Sequence, residues 1–200
     1  MRLIVVRHGE TVYNIEHRFT GQSDIPLSPL GERQELLVGE YLATEQPDVL
    51  VSSDLQRARA TAQAIARHHG LPVLEDRNLR EISLGSWEGL TVYEVMMSDE
   101  DGLVHWRSDP LHNGAGGGET LTQFHARIVR ALERWYADYP EGTVVWVAHG
   151  GLMGVLVCHM LAIDIKRRRQ FHHDNASISE FLYTAHSVSV VRLNETAFLR

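Results

Sequence analysis

The chain has one cysteine in 200 residues, Cys158. No disulfide can form within it, which fits a reducing compartment. Cys158 lies in an apolar run and reads as a packed core thiol rather than a nucleophile. Lysine is equally scarce: Lys166 is the single lysine among 19 basic residues. Codon usage explains so lopsided a count more simply than chemistry, although guanidinium groups do give planar, forked contacts to phosphate. Positive charge is also in deficit. The formal net charge is −7 with 12 histidines uncounted. Non-specific nucleic-acid binding needs a basic surface, so that function is disfavoured, and any phosphate chemistry must come from a local basic pocket. No run approaches the roughly 20 apolar residues of a membrane helix. The apolar stretch after Arg2 stops at Val6, too short for a signal peptide. These absences together predict a cytoplasmic protein that engages neither nucleic acid nor membrane. No internal repeat is visible.

What the chain does have is a core. Hydrophobic residues make up 44% of it, and its length suits one domain over residues 1–200, with room for an insertion. Short apolar runs at Leu3–Val6, Val49–Val51, Leu71–Leu74 and Thr143–Ala148 read as buried strands. Between them lie helical patterns. Ser28-Pro29 pairs an N-cap with proline at the first helical position and opens a helix to about Ala43. Ser53-Asp54-Leu55-Gln56 has capping-box spacing, and the helix it predicts ends at Gly70. Glu119–Tyr139 carries Leu121, Phe124, Ile128, Leu132, Trp135 and Tyr139 at helical spacing, and Gly151–Leu161 reads as another helix. Ile178–Tyr183 and Val188–Leu193 read as a hairpin closing the sheet. Alternating strands and helices predict a three-layer α/β/α sandwich with a mostly parallel central sheet. Residues 76–118 break the pattern with many glycines, Trp87 and Trp106. They read as an irregular cap insertion with one short helix near Val92–Met97.

Two strands end alike. Leu3–Val6 runs into Arg7-His8-Gly9, and Thr143–Ala148 runs into His149-Gly150-Gly151. Ligands gather outside the carboxyl ends of parallel strands, so His8 and His149 share one edge if the strands are neighbours. Val49–Val51 leads to the same edge, where Arg57 sits in the first turn of the next helix. Two guanidiniums recognise a phosphate dianion by charge-assisted hydrogen bonds. They also lower the pKa of a nearby histidine and keep it neutral. A neutral imidazole attacks through one nitrogen when the hydrogen on the other is held, commonly by a carbonyl. A second histidine can donate to an equatorial oxygen, and amides at the start of the helix after Gly150 favour an anion. A leaving alkoxide needs a proton. Glu81, in Arg80-Glu81-Ile82, is the candidate acid, its protonated form favoured by an approaching dianion.

Arg7-His8-Gly9-Glu10-Thr11 with Asn14 resembles the RHGE signature of the histidine phosphatase superfamily, the phosphoglycerate-mutase-like group. Further stretches resemble the family in order: Phe19-Thr20-Gly21, Leu27–Gly31, Ser52–Ala58, Leu79-Arg80-Glu81 with Gly85–Gly89, Gly117–Thr120 and Val147–Gly151. The resemblance covers nearly the whole chain. It implies that His8 is the nucleophile, becoming phosphohistidine, and that Arg7, Arg57 and His149 hold the phosphoryl group. Asn14 and the Gly150 amide would assist, and Glu81 would donate a proton and then activate water. Thr20 and Gly21 would line the substrate entrance, and neither metal nor cofactor would be needed. Leu84–Gly89 and Asp174–Ser177 look like the family's small phosphatases, among them α-ribazole, phosphoserine and broad-specificity enzymes. The expectation is a phosphomonoesterase acting on a small phosphorylated metabolite, with a phosphoglycerate-type mutase as the alternative. A dead binding module would usually have lost a catalytic member, and none is missing.

Each motif also has a blander reading. Glu88 is the local rival of Glu81. Arg59 rivals Arg57 but sits on another helix face and reads as a solvent or salt-bridge residue. His172-His173-Asp174 lacks a usual metal-ligand spacing. Lys166-Arg167-Arg168-Arg169 reads first as a solvated face and second as a lure for an acidic substrate. Trp87 and Trp106 read as packing for the insertion. A C-terminal strand at the sheet edge would offer a place for a homodimer to pair.

Overall fold

The continuous apolar run Leu3–Val6 forms a strand buried on both faces, as such runs do inside parallel sheets. In the computed structural model, which describes all 200 residues, this strand is β1, Arg2–Arg7. Next come a one-turn helix α1, Val12–Ile15, and α2, Pro29–Leu42. Strand β2, Val49–Ser52, leads to α3, Gln56–His69, and β3, Val73–Glu75. Helices α4, Val92–Ser98, and α5, Glu100–Ser108, lie within residues 76–118. Then follow α6, Leu121–Asp138, β4, Thr143–Ala148, α7, Gly150–Met160, and the hairpin β5, Ile178–Tyr183, with β6, Val188–Glu195.

The six strands form one sheet in the order β3-β2-β4-β1-β5-β6. The first four are parallel, while β5 and β6 run antiparallel at one side. Because side chains alternate across a strand, each central strand feeds two cores. Leu3, Val5, Val144 and Trp146 pack with α6 and α7 residues such as Phe124, Ile128 and Leu156. Ile4, Val6, Val145 and Val147 pack with Val38, Leu42, Ala62 and Ile65 of α2 and α3. The fold is the expected mixed α/β sandwich, helices on both faces of a mostly parallel sheet. Each such fully buried Leu, Ile or Val contributes about 1.5–3 kcal/mol.

The register fixes where the chemistry lies. Arg7 pairs with Ala148 and Ser52 with Val147, so β1, β4 and β2 finish together. The ladder runs slightly past the strands: the His8 amide donates to the Ala148 carbonyl at 3.1 Å, and Ser53 to Val147 at 2.9 Å.

Three expectations need correction. Ser53 does not open a capping box. Its amide is spent on the sheet ladder, and α3 starts at Gln56, whose amide donates to Asp24 Oδ1 at 2.7 Å. Asp54 is instead drawn to Arg80, with two 2.6 Å contacts. The third strand is shorter and later than Leu71–Leu74, because it pairs only with β2 over Val73–Glu75. Residues 76–118 hold the helix expected near Val92–Met97 and a second one after it. Asp99 caps the second, accepting from Gly102 N at 3.1 Å, although that helix shows little apolar periodicity in the sequence. Leu84, Trp87, Val95, Leu103, Trp106 and Ala115 give this segment a small core of its own.

Candidate active site

Beyond the ends of β1, β4 and β2 lies a cleft of about 430 Å³, lined by Arg7, His8, Asn14, Arg57, Glu81 and Gly150 among others. His8 is buried, and both of its ring nitrogens are committed. Nδ1 lies 2.7 Å from the Gly9 carbonyl oxygen, which can only accept. Arg57 Nε, which can only donate, lies 3.2 Å from Nε2. Together they specify one neutral tautomer, with hydrogen on Nδ1 and the lone pair on Nε2. Burial, then the charges of Arg57 and Arg7, hold the His8 pKa well below its ordinary value. The dominant cause is thus desolvation rather than the neighbouring cations alone.

Arg57 is fully buried. Besides its contact with His8, it donates to the Ser23 carbonyl at 2.7 Å and the Gly21 carbonyl at 2.9 Å. Burial pulls its pKa down to about 10, which still leaves it charged near neutral pH. Gly21 adopts φ +50°, and a Cβ there would lie 2.3 Å from Glu88 Oε1, so this tight turn requires glycine. Arg7 donates to the His173 carbonyl at 2.6 Å, while its buried Nε has no partner in the protein. His149 is completely buried, its ring centroid 5.1 Å from that of His8, and neither ring nitrogen has a protein partner. Burial, then Arg57, keeps it neutral as well.

Glu81 reaches the same cleft. Its Oε2 accepts from the Gly151 amide at 2.8 Å and its Oε1 from its neighbour Ile82 at 2.9 Å. One of the two amides expected to receive an anion at the start of α7 is therefore occupied by Glu81. Gly150 still lines the cleft, where a Cβ would lie 3.2 Å from Arg7 Nε. Thr20 and Gly21 also line it. Asn14 Oδ1 accepts from Thr11 N at 3.0 Å and from Asn175 Nδ2 at 3.1 Å. All nine residues singled out from the sequence gather here, with His149 just beneath the surface.

The rivals lie elsewhere. Arg59 pairs with Glu75 at 3.5 Å. Glu88 ties two loops together, accepting from Gln22 N at 2.9 Å, Leu84 N at 3.0 Å and Ser23 Oγ at 3.1 Å. No group of three His, Cys, Asp or Glu side chains is arranged to hold a metal ion.

Several participants escaped the sequence reading. Asn175 Nδ2 lies within 3.3 Å of the His8 and Gly9 carbonyls and of Asn14 Oδ1. Its motif had looked phosphatase-like without suggesting that role. Arg127, on α6, grips the Glu81 loop by donating to the carbonyls of Asn78, Arg80 and Glu81 at 2.6–2.8 Å while pairing with Glu119 at 2.7 Å. A charged position inside an amphipathic helix was the available signal. Arg168 and Arg169 line the cleft rather than forming only a solvated face, and Trp106 lines it as well as packing.

Residues 3–196 match the model of the histidine phosphatase superfamily, branch 1. The chain belongs to that superfamily. It is 38% identical over 171 residues to glucosyl-3-phosphoglycerate phosphatase of Mycolicibacterium vanbaalenii, covering 82% of this chain and 76% of that one. It is 33% identical to phosphoserine phosphatase 1 of Hydrogenobacter thermophilus over 199 residues, 100% of this chain and 94% of that one. A probable phosphoglycerate mutase of Citrobacter koseri matches at 34% over 188 residues, 92% and 85% of the two chains. Among solved structures, a putative α-ribazole-5′-phosphate phosphatase from Escherichia coli superposes with a TM-score of 0.91 at 26% identity, covering 98% and 96%. The histidine phosphatase described here is a phosphoric monoester hydrolase, and hydrolysis is favoured over mutase activity. No helix is long and apolar enough to cross a membrane.

Proposed function

We propose that this enzyme hydrolyses a small phosphorylated metabolite in two steps, without metal or cofactor. His8 Nε2 attacks phosphorus, the bond to the ester oxygen breaks, and Glu81 supplies the proton that oxygen needs. Glu81, now a carboxylate, takes a proton from water as the water attacks phosphohistidine, releasing phosphate and restoring Nε2. Arg7, Arg57 and His149 bear the charge on the three equatorial oxygens, where it concentrates in a loose transition state. Asn14 and the Gly150 amide assist, and Thr20 and Gly21 border the entry. The observation that carries this reading is the double restraint of His8: a carbonyl fixes Nδ1–H, so the unprotonated nitrogen is the one facing Arg57.

The substrate class follows from cleft size and from the relatives, whose names include phosphoserine and glucosyl-3-phosphoglycerate. We read the chain as one cytoplasmic domain capped by residues 76–118. The free edge at β6, where Val190 and Val191 are exposed, is the place for a homodimer; sedimentation equilibrium that returns only monomer would remove that part.

The test is phosphate release from phosphoserine, 3-phosphoglycerate, glucosyl-3-phosphoglycerate, α-ribazole phosphate and an aryl phosphate, with EDTA present, by wild type and His8→Ala. Release that survives EDTA and is lost in His8→Ala is expected, together with an acid-labile, alkali-stable phosphoenzyme in the wild type. Unimpaired release by His8→Ala would overturn the mechanism. Conversion of 3-phosphoglycerate to its 2-isomer in preference to hydrolysis would make the enzyme a mutase.

A further inference from the structure

Three oxygens converge beside the nucleophile: the carbonyls of His8 and Gly9 and the side-chain Oδ1 of Asn14. Asn175 Nδ2 lies among them, at 3.2, 3.3 and 3.1 Å respectively. Carbonyls can only accept, so the end of the Asn175 amide that faces them is its NH2. The orientation of Asn14 is set in the same way. Thr11 N and Asn175 Nδ2 can only donate, so Oδ1 faces them, and the Asn14 NH2 is left for the cleft that this residue lines. The Gly9 carbonyl is the one that holds the hydrogen on His8 Nδ1, at 2.7 Å. One amide group therefore joins the anchor of the nucleophile to a donor proposed for the phosphoryl group.

That amide comes from a turn far along the chain. Asn175 precedes β5 and lies 167 residues from His8 in sequence. Ala176, next to it, is fully buried at φ +61°, a backbone conformation that alanine adopts only where its surroundings impose it. Its amide donates to the His8 carbonyl at 3.1 Å, and the Ser177 carbonyl accepts from Arg7 N at 3.0 Å. From the other side, Asp174 N donates to Asn194 Oδ1 at 2.6 Å, and Asn194 Nδ2 donates back to Asp174 Oδ2 at 2.8 Å. The turn is thus clamped between β1 and β6 and carries Asn175 on a rigid support. Without the NH2, three acceptors would face one another with no shared hydrogen between them, an unfavourable arrangement at a half-buried position.

We propose that Asn175 is a positioning residue for the reaction. Its NH2 draws the three oxygens together, which sets the Gly9 carbonyl on His8 Nδ1–H and fixes Asn14 relative to the attacking nitrogen. It acts through Gly9 and Asn14 rather than on the reacting atoms, and the proposal rests on His8 being the nucleophile.

The experiment removes the donor while keeping the shape. Asn175→Asp places a carboxylate, which only accepts, among three acceptors, and it regains a hydrogen only when protonated. Steady-state kcat/KM for an alkyl phosphate is measured in wild type and variant between about pH 5 and pH 8. At the alkaline end the variant is expected to be about 10²-fold slower, the loss that follows a small misplacement of reacting groups. The ratio of variant to wild type is expected to rise about tenfold toward the acid end, because the facing oxygens favour the protonated carboxyl. Arg7, His8, His173 and Asp174 are the charged or titrating groups around this position; both proteins have them, so the ratio isolates the new carboxyl. A carboxylate acting only as a charge would do the opposite, since it would help His8 to protonate and the ratio would fall with pH. A flat or falling ratio overturns the proposal. Two uncharged variants decide the matter should Asn175→Asp fail to fold. Asn175→Ala leaves space for a water, which brings hydrogens to the same oxygens, whereas Asn175→Leu fills that space with none. The donor role requires Asn175→Ala to be the faster of the two; Asn175→Leu equal or faster would make position 175 a packing site. Phosphate release that survives in His8→Ala would remove the mechanism and this proposal together, whereas the pH ratio and the Ala–Leu comparison bear on Asn175 alone.

Discussion

At the scale of single residues, the site is governed by close approaches that leave no room for a side chain. Gly151 illustrates this. It lies in the first turn of α7, and its amide holds Glu81 Oε2 at 2.8 Å. A Cβ added there would lie 2.4 Å from Glu81 Oε1. Alanine is intrinsically better than glycine in a helix by about 1 kcal/mol, so Gly151→Ala should leave the melting temperature unchanged or raise it. The carboxyl end of Glu81 must move instead, and a displacement near 1 Å costs about 10²-fold in rate. Steady-state kinetics beside a thermal melt checks this; a variant both stable and fully active would show that Glu81 needs no such placement. Glu81 itself has a sharper signature. Glu81→Gln cannot protonate a leaving oxygen, so kcat/KM should fall about 10²–10⁴-fold for an alkyl phosphate. It should fall far less for nitrophenyl phosphate, whose leaving group needs no proton. Equal losses on both substrates would assign Glu81 another role. Arg7, His8 and His149 were legible in the sequence because they sit at strand ends, and Arg57 because it opens the helix that follows one, at the edge where a parallel sheet delivers its ligands. Glu81 was legible less directly, since it lies on an irregular loop and only the motif around it distinguished it from Glu88.

At the scale of elements, the Glu81 loop is held by a helix distant in sequence. Arg127 satisfies three loop carbonyls and Glu119 at once, and Glu119 in turn accepts from the Ser83 amide at 2.9 Å. Removing the guanidinium leaves those acceptors and the half-buried Glu119 carboxylate uncompensated. Arg127→Ala should therefore lower stability by ~3 kcal/mol, read from a urea midpoint. It should also imitate Glu81→Gln, losing more rate on an alkyl phosphate than on nitrophenyl phosphate, because the loop it orders carries the acid. A variant that lost stability but slowed both substrates equally would make Arg127 purely structural. Arg127→Lys should restore part of the stability but not the three-carbonyl grip, since an ammonium lacks the planar fork. In the sequence this showed only as a charged position inside an amphipathic helix. The periodicity of Leu121, Phe124, Ile128 and Leu132 located α6, but it treats a charged position as solvent-facing. Only the fold shows Arg127 turned toward carbonyls that no strand or helix satisfies. The start of α3 escaped for a similar reason: Ser53-Asp54-Leu55-Gln56 has the spacing of a cap, and tertiary partners took both Ser53 and Asp54.

At the scale of the whole molecule, alternating apolar strands and helices made the layered architecture legible, because burying such elements leaves few arrangements. Within the glycine-rich 76–118 region the helix at Val92–Ser98 was legible, and a capping box of Thr91 with Glu94 opens it, whereas the helix at Glu100–Ser108 was not. The fold also buries three histidines against one another's neighbours, and this has a consequence for stability. Burial and nearby cations hold His8 and His149 neutral, and the same causes bring His173 down to about 4. When the chain unfolds, each returns to an ordinary value near 6.5. Below that pH the unfolded chain binds more protons than the folded one, so stability is complete above pH ~6.5 and declines as pH falls. The slope is up to about 1.4 kcal/mol per pH unit for each histidine, and for His173 it ends near its folded value of about 4. Paired carboxylates such as Asp54 act in the same direction at lower pH, so the contribution of one histidine must be read as a difference. Urea midpoints of wild type and His173→Gln, taken from pH 7 to pH 4, supply it. Glutamine changes the packing, so the variant and the wild type begin at different stabilities and only the slopes are compared. The variant's loss on acidification should still be shallower than that of the wild type by about 1 kcal/mol per unit between pH 6 and pH 4.5. Parallel curves over that interval would mean that His173 takes up its proton as readily in the folded chain as in the unfolded one.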